Sequence, residues 1–360
     1  MADQFFELSE RDREEALEVV AARCGRPTHL LEKDVWVVWL LSVLFESPFA
    51  STLTFKGGTS LSKVYRVIDR FSEDIDLTYD IRELVPESLK GDDALPSTNS
   101  QAQKWTKAVR KSLPIWIDTA VAPLVREALT RARLTPTVSR DEALAERLLV
   151  DYAPLRRGTG YVSPRVVLDF GARSTGEPHE IRNVTCDMAE HIPGVLFPEA
   201  RPQVLKIART FWEKATAAHV YCLQDKNRGE RFSRHWHDLA AIAATEQFGA
   251  IANDREVAEA VAEHKSWFFV EKDADGAVID YRAAVRGHLK IVPRWRGASS
   301  IGRGLHEDER GSRVAPRSGA LPRSHGVLRG VGAEDQPTAS RARNQKNGAV
   351  DTAFQPRFCV

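Results

Sequence analysis

TLTFKGGTSLSKVYRVIDRFSEDIDLTYD, running from Thr52 to Asp80, is the stretch on which the reading of the whole chain turns. TLTF (Thr52 to Phe55) alternates polar and apolar residues with the period of two that a half-buried strand requires. KGGTS follows at once, a glycine turn leading into SLSKVYRVIDRF, which reads as a helix. DIDLTYD (Asp74 to Asp80) alternates again, so Asp74 and Asp76 project from one face of a second strand while Ile75 and Leu77 project from the other. The unit predicts an α+β core in which two carboxylates point the same way.

Upstream, Ser9 and Asp12 give SERDREEALEVVAARCG a capping-box-like start, and Gly25 gives it a stop. Thr28 is then expected to cap a second helix to about Glu46, ended by Pro48. Its core, VWVVWLLSVLF (Val35 to Phe45), is apolar on most sides and predicts burial. These helices make up residues 1–50.

Downstream, residues 51–204 read as the core, with an inserted helical region over about 83–161 that includes AQKWTKAVRKSL and IDTAVAPLVREALTRARL. RVVLDF (Arg165 to Phe170) is a strong strand signal. Residues 205–292 read as a helical C-terminal domain, carried by VLKIARTFWEKATAAHVY, SRHWHDLAAIAATEQFG and REVAEAVAEHKSWF. From about residue 293 the chain turns abruptly to Gly, Arg, Ser, Ala and Pro, a composition that buries too little to offset its ordering entropy. The expectation over 293–360 is a disordered tail, or an aberrant one produced by a frameshift or fusion.

At 360 residues the chain is long enough for a substantial core. Its 51 Lys and Arg against 50 Asp and Glu exclude a general polyanion binder, so any contact with nucleic acid must be local. Cys24, Cys186, Cys222 and Cys359 are scattered and form no CxxC pair, which fits free thiols in a reducing cytoplasm. The charged start MADQFFELSERDREE does not read as a signal peptide, and no apolar run approaches the roughly 18 residues of a membrane span. No membrane association is expected.

Two carboxylates two residues apart on a strand can share hard cations that bridge a triphosphate. The glycines let backbone approach phosphates, and amides at the following helix start attract anions. Lys56 and Ser60 sit where they can supply a cation and a hydroxyl. Asp169, alone on an apolar strand, is costly to bury unless paired or metal-bound. His235 and His237, two apart on a helix, face different directions and do not suggest zinc. Trp36, Trp39, Trp212 and Trp236 fall among apolar helical residues and read as core.

FKGGTSLSKVYRVIDRFSEDIDL closely resembles the signature of the AbiEii/AbiGii-type toxins of the DNA polymerase β-like nucleotidyltransferase superfamily. EKDVWVVWLL before it, and VLDFGARS, RTFWEKATAAH and RHWHDLAAI after it, extend the resemblance over roughly residues 28–290. It implies a small mixed sheet with flanking helices. Asp74 and Asp76 would be paired ligands for Mg2+ or Mn2+, with Asp169 as the third carboxylate, holding metal or accepting the proton of the attacking hydroxyl. Many relatives carry Glu at that last position. Lys56, Gly57, Gly58, Thr59 and Ser60 would form the phosphate-binding turn; Lys214 would contact the triphosphate, Arg209 would assist in binding the nucleotide, and Asp238 would complete the set, orienting Lys214.

The implied reaction moves a nucleoside monophosphate from an NTP to an acceptor hydroxyl and releases pyrophosphate. The resemblance implies RNA as acceptor, at the 3′ end of tRNA, blocking translation, with a cognate antitoxin in restraint. A basic surface at Lys104, Lys107, Arg110, Lys111, Arg126, Arg131 and Arg133 would favour RNA, though a solvated helix face explains it equally well. The alternatives are transfer to a protein or to a small molecule such as an antibiotic, or a catalytically silent binding module.

Overall fold

A computed structural model describes residues 3–72, 74–89, 94–156, 158, 162–224 and 230–292. Cys359 and the tail from 293 lie outside them. Two helices come first, α1 (Glu10–Cys24) and α2 (Thr28–Phe45). Ser9 caps α1, accepting from the Asp12 amide, and Gly25 ends it in the left-handed region at φ 72°. Thr28, expected to cap α2, is instead its first residue. Pro27, whose ring fixes φ near −57°, holds the cap position.

The chain then enters β1 (Leu53–Lys56), α3 (Gly57–Lys63) and β2 (Asp74–Tyr79). The helix expected over SLSKVYRVIDRF is shorter and starts earlier, with both glycines in its first turn. Antiparallel pairing sets Lys56 against Asp76, so β1 ends where β2 begins. The connection must go out and come back, and a 12-residue helix would rise about 18 Å away from that point. Arg66, at φ 53°, lies on the return path.

Next come α4 (Asn99–Trp116) and α5 (Ala122–Arg131), joined by a single π-helical turn. Residues 83–161 are not wholly helical as expected: β3 (Thr137–Arg140) and β4 (Arg147–Asp151) join the central sheet. Their cross-strand pairing with each other and with β5 (Arg165–Gly171) supplies what two such short polar-flanked segments lack in local signal. β6 (His179–Ile181) and β7 (Gln203–Leu205) complete a seven-stranded sheet in the order β3-β4-β5-β2-β1-β7-β6. The sheet is mixed: β2 runs parallel to β5 and β7 parallel to β1, and every other pair is antiparallel.

Alternation along β5 buries Val166, Leu168 and Phe170 on one face and turns Arg165, Val167 and Asp169 to the other. The buried face packs with Phe55, Ile75, Leu77 and Leu148 against α2 and α4, in one core that includes Val35, Val38, Leu41 and Trp105. Each such side chain contributes about 1.5–3 kcal/mol by leaving water. Helices α6 (Ile207–Gln224), α7 (Glu230–Ala243), α8 (Phe248–Asn253) and α9 (Arg255–Phe268) build a second core around Phe211, Trp212, Trp236 and Val261. Leu61 and Ile68, from the β1–β2 connection, belong to this second core and tie it to the sheet. Among the described residues no helix is long and apolar enough to cross a membrane.

Candidate active site

The open face of the sheet carries a row of four charged residues. Register places Lys56 against Asp76, Asp76 against Asp169, and Asp169 against Arg147, on four adjacent strands. Asp74, two residues before Asp76, shares its face. The carboxylates of the two separate strand motifs thus meet because β2 and β5 run in parallel, in register.

They are unequally compensated. Burial pushes Asp76 up to about 6; Lys56 and Lys214 oppose the rise, and the like charges of Asp169 and Asp74 add to it. Asp169 accepts from Arg147 Nε at 2.7 Å. Among the described residues no three His, Cys, Asp or Glu side chains converge tightly enough to hold a metal ion as they stand. The expected three-carboxylate set is therefore adjacent but not gathered about one point, since like charges repel and Arg147 draws Asp169 aside.

Gly57 lies at φ 79°, and a Cβ on it would stand 1.9 Å from Asp76 Oδ2. No side chain fits between this turn and the carboxylate. A Cβ on Gly58 would approach Ser72 Oγ to 2.7 Å and Arg70 Nη2 to 2.9 Å. Ser60, expected to supply a hydroxyl, and Thr59, its neighbour in the expected phosphate-binding turn, are buried and bonded within the turn. Thr59 donates to the carbonyls of Ser72 and Asp74, and Ser60 donates to that of Gly57 at 2.9 Å. They brace the β1–β2 connection, because the early helix start turns both side chains inward.

Lys214 lies between two cavities that meet at Gly58, Asp76, Lys214 and His235. The first, of about 350 Å³, is also lined by Lys56, Gly57, Arg173, Thr210, Glu213 and Lys265. Burial would raise Glu213, but Lys56, Arg209 and Lys265 pull it down to about 2, while burial brings Lys265 down to about 8. Thr210 is 3% exposed, and its hydroxyl has no hydrogen-bond partner among the described residues. The second cavity, of about 490 Å³, is rich in cations: Lys33, Arg70, Arg147, Arg165 and Arg234.

Asp238 sits beneath Lys214. Its carboxylate is fully buried and accepts from Lys214 Nζ at 2.9 Å and from Arg70 Nε and Nη2 at 2.9 and 2.8 Å. Burial alone would raise its pKa, yet His237, Lys214 and Arg70 hold it well below the usual carboxylate range. Arg209, expected at the nucleotide, lines neither cavity; one turn from Glu213 on α6, it pairs with that side chain at 3.2 Å and donates to the Glu177 carbonyl. Three consecutive charges at the start of α2 anchor the surroundings. Asp34 pairs with Lys63 at 2.6 Å, Lys33 donates to the Ser163 carbonyl, and Glu32 accepts from Leu155 N.

Sequence pattern alone does not single out Arg147, Arg70, Glu213 or Lys265. Arg147 lies on a strand that local pattern does not reveal, and the bond between Arg70 and Asp238 spans 168 residues. Glu213, one turn after Arg209, carried the one available signal.

No curated relative matches the chain in sequence. Among solved structures, MenT4, a nucleotidyltransferase toxin from Mycobacterium tuberculosis, is similar at 17% identity and a TM-score of 0.33, covering 83% of this chain and 99% of its own. The family model described as nucleotidyl transferase AbiEii toxin of a type IV toxin–antitoxin system matches residues 39–298, well over half of the sequence. The chain belongs to this family of nucleotidyltransferase toxins.

Proposed function

We propose that the chain transfers a nucleoside monophosphate from an NTP bound in the first cavity to a hydroxyl at the 3′ end of tRNA presented from the second. The observation that carries this reading is the row Lys56, Asp76, Asp169 and Arg147, at the junction of two cavities that share Asp76 and Lys214. A two-substrate displacement needs two binding volumes opening on one reacting centre.

The donor set fits a hard divalent cation, Mg2+ or Mn2+: three carboxylates on one sheet face, one of them held up to about 6 by burial and its like-charged neighbours. Asp74, Asp76 and Asp169 would hold it. Bound there, such a cation neutralises triphosphate charge and lowers the pKa of the attacking hydroxyl. The protein's own part is electrostatic and positional. Lys56 and Lys214 present ammonium groups to the triphosphate, and Asp238 fixes Lys214 from below. Asp169 accepts the hydroxyl proton. The cations of the second cavity meet a phosphate backbone, which favours a polynucleotide over an uncharged acceptor. The type IV toxin–antitoxin family implies a cognate antitoxin that restrains the activity.

The test is incubation of purified protein with α-labelled NTPs, magnesium and total RNA. Label should enter tRNA and disappear with Asp76→Ala. Undiminished transfer by that variant rejects the assignment; label in protein or in a small molecule redirects the acceptor, and no label from any NTP supports a silent module.

A further inference from the structure

Arg147 holds a place in the site that the reaction does not explain. Its Nε lies 2.7 Å from Asp169 Oδ2, with the two side chains 25% and 24% exposed. Cross-strand register fixes the pair, since Arg147 on β4 stands directly opposite Asp169 on β5. Lys56 occupies the matching position beside Asp76 at the other end of the row. The row therefore reads cation, carboxylate, carboxylate, cation, and its inner pair is where a divalent ion belongs.

We propose that Arg147 is a positioning residue that competes with the divalent cation for Asp169 and leaves the carboxylate as the ion loads, its guanidinium staying on the wall of the second cavity. This rests on the metal-dependent reading above. A carboxylate oxygen that accepts from a guanidinium is a weaker ligand for a hard cation, so the fraction held by Arg147 lowers the apparent cation affinity. The guanidinium already lines the second cavity beside Lys33, Arg70 and Arg165, and once released from Asp169 its charge is no longer neutralised there. Loading the ion thereby uncovers positive charge where an acceptor phosphate arrives, and by reciprocity an acceptor that holds Arg147 tightens the ion.

The experiment measures Mn2+ binding by the electron paramagnetic resonance signal of the free ion, on the full chain without NTP or RNA. Arg147→Met should bind Mn2+ about five-fold tighter than wild type, the gain expected from releasing a partly exposed ion pair. Arg147→Lys, which keeps the charge without the planar fork, should fall between them. Asp169→Asn should weaken binding, and adding Arg147→Met in that background should change nothing. Arg165→Met controls for loss of a nearby charge and should match wild type.

Unchanged affinity in both Arg147 variants overturns the proposal. So does an equal gain with and without Asp169, which would make Arg147 a distant charge and no competitor. Wild type that binds no Mn2+ at millimolar concentration sinks the metal-dependent reading itself, a different failure from intact binding that ignores Arg147.

Discussion

Gly57→Ala is the smallest change that should disable the site. At φ 79° an alanine costs about 1–2 kcal/mol in backbone strain alone. Its Cβ would stand 1.9 Å from Asp76 Oδ2 and 2.6 Å from Cγ, so the carboxylate or the turn must yield by on the order of 1–2 Å to recover ordinary contact. Misplacing a reacting group by about 1 Å costs on the order of 100-fold. Label transfer to RNA should therefore fall by about 100-fold or more, while thermal unfolding shifts by only a few degrees. Gly58→Ala is the milder comparison: its Cβ meets Ser72 Oγ, which can rotate away, and Arg70 Nη2, which Asp238 holds in place, so its loss should be smaller than at Gly57 but measurable. A Gly57→Ala enzyme within about two-fold of wild type would refute the close packing of turn against carboxylate.

Three further outcomes follow from buried charge. Asp238→Asn leaves Arg70 and Lys214 without their shared anion and should destabilise the chain by about 3–5 kcal/mol in urea denaturation, whereas Lys214→Ala, which keeps the Arg70 pair, costs less. Asp76 binds its proton more tightly folded than unfolded, so its contribution is full below pH 3.8 and is lost as pH rises through about 6. Asp76→Asn should accordingly stabilise the cation-free protein at pH 8 by on the order of 1–2 kcal/mol and leave it unchanged near pH 3.8; a constant difference across that range would contradict the cause assigned to the shift. Glu213 has the opposite sign: its contribution is present above pH 4.5 and is lost as pH falls toward about 2, so Glu213→Gln should destabilise at pH 7 and converge on wild type in acid.

The part of the site written in local pattern was legible beforehand. Period-two alternation exposes Asp74 and Asp76 together, and a lone acid in RVVLDF marks Asp169 as needing a partner. What that partner would be was not legible, because Arg147 meets Asp169 only through the register of two strands. Arg70 looks like any helix-face arginine until α7 brings Asp238 to it from far along the chain. The inward turn of the Ser60 hydroxyl is hidden from sequence for a related reason. Composition names a hydroxyl, but where it points depends on the residue at which the helix begins, and α3 begins at Gly57. The sheet was underestimated in the same way, since β3 and β4 are too short and too polar at their ends to declare themselves without neighbours.

The burial of Asp238 between Arg70 and Lys214 also bears on synthesis. Arg70 leaves the ribosome long before its anchor, and a nascent chain that has not reached α7 holds the strands of the sheet yet lacks the carboxylate that locks the lysine in place. Contacts this distant in sequence form late. A polypeptide stalled before α7 would therefore lack the carboxylate that fixes the lysine, and the site would be completed only after Asp238 has emerged.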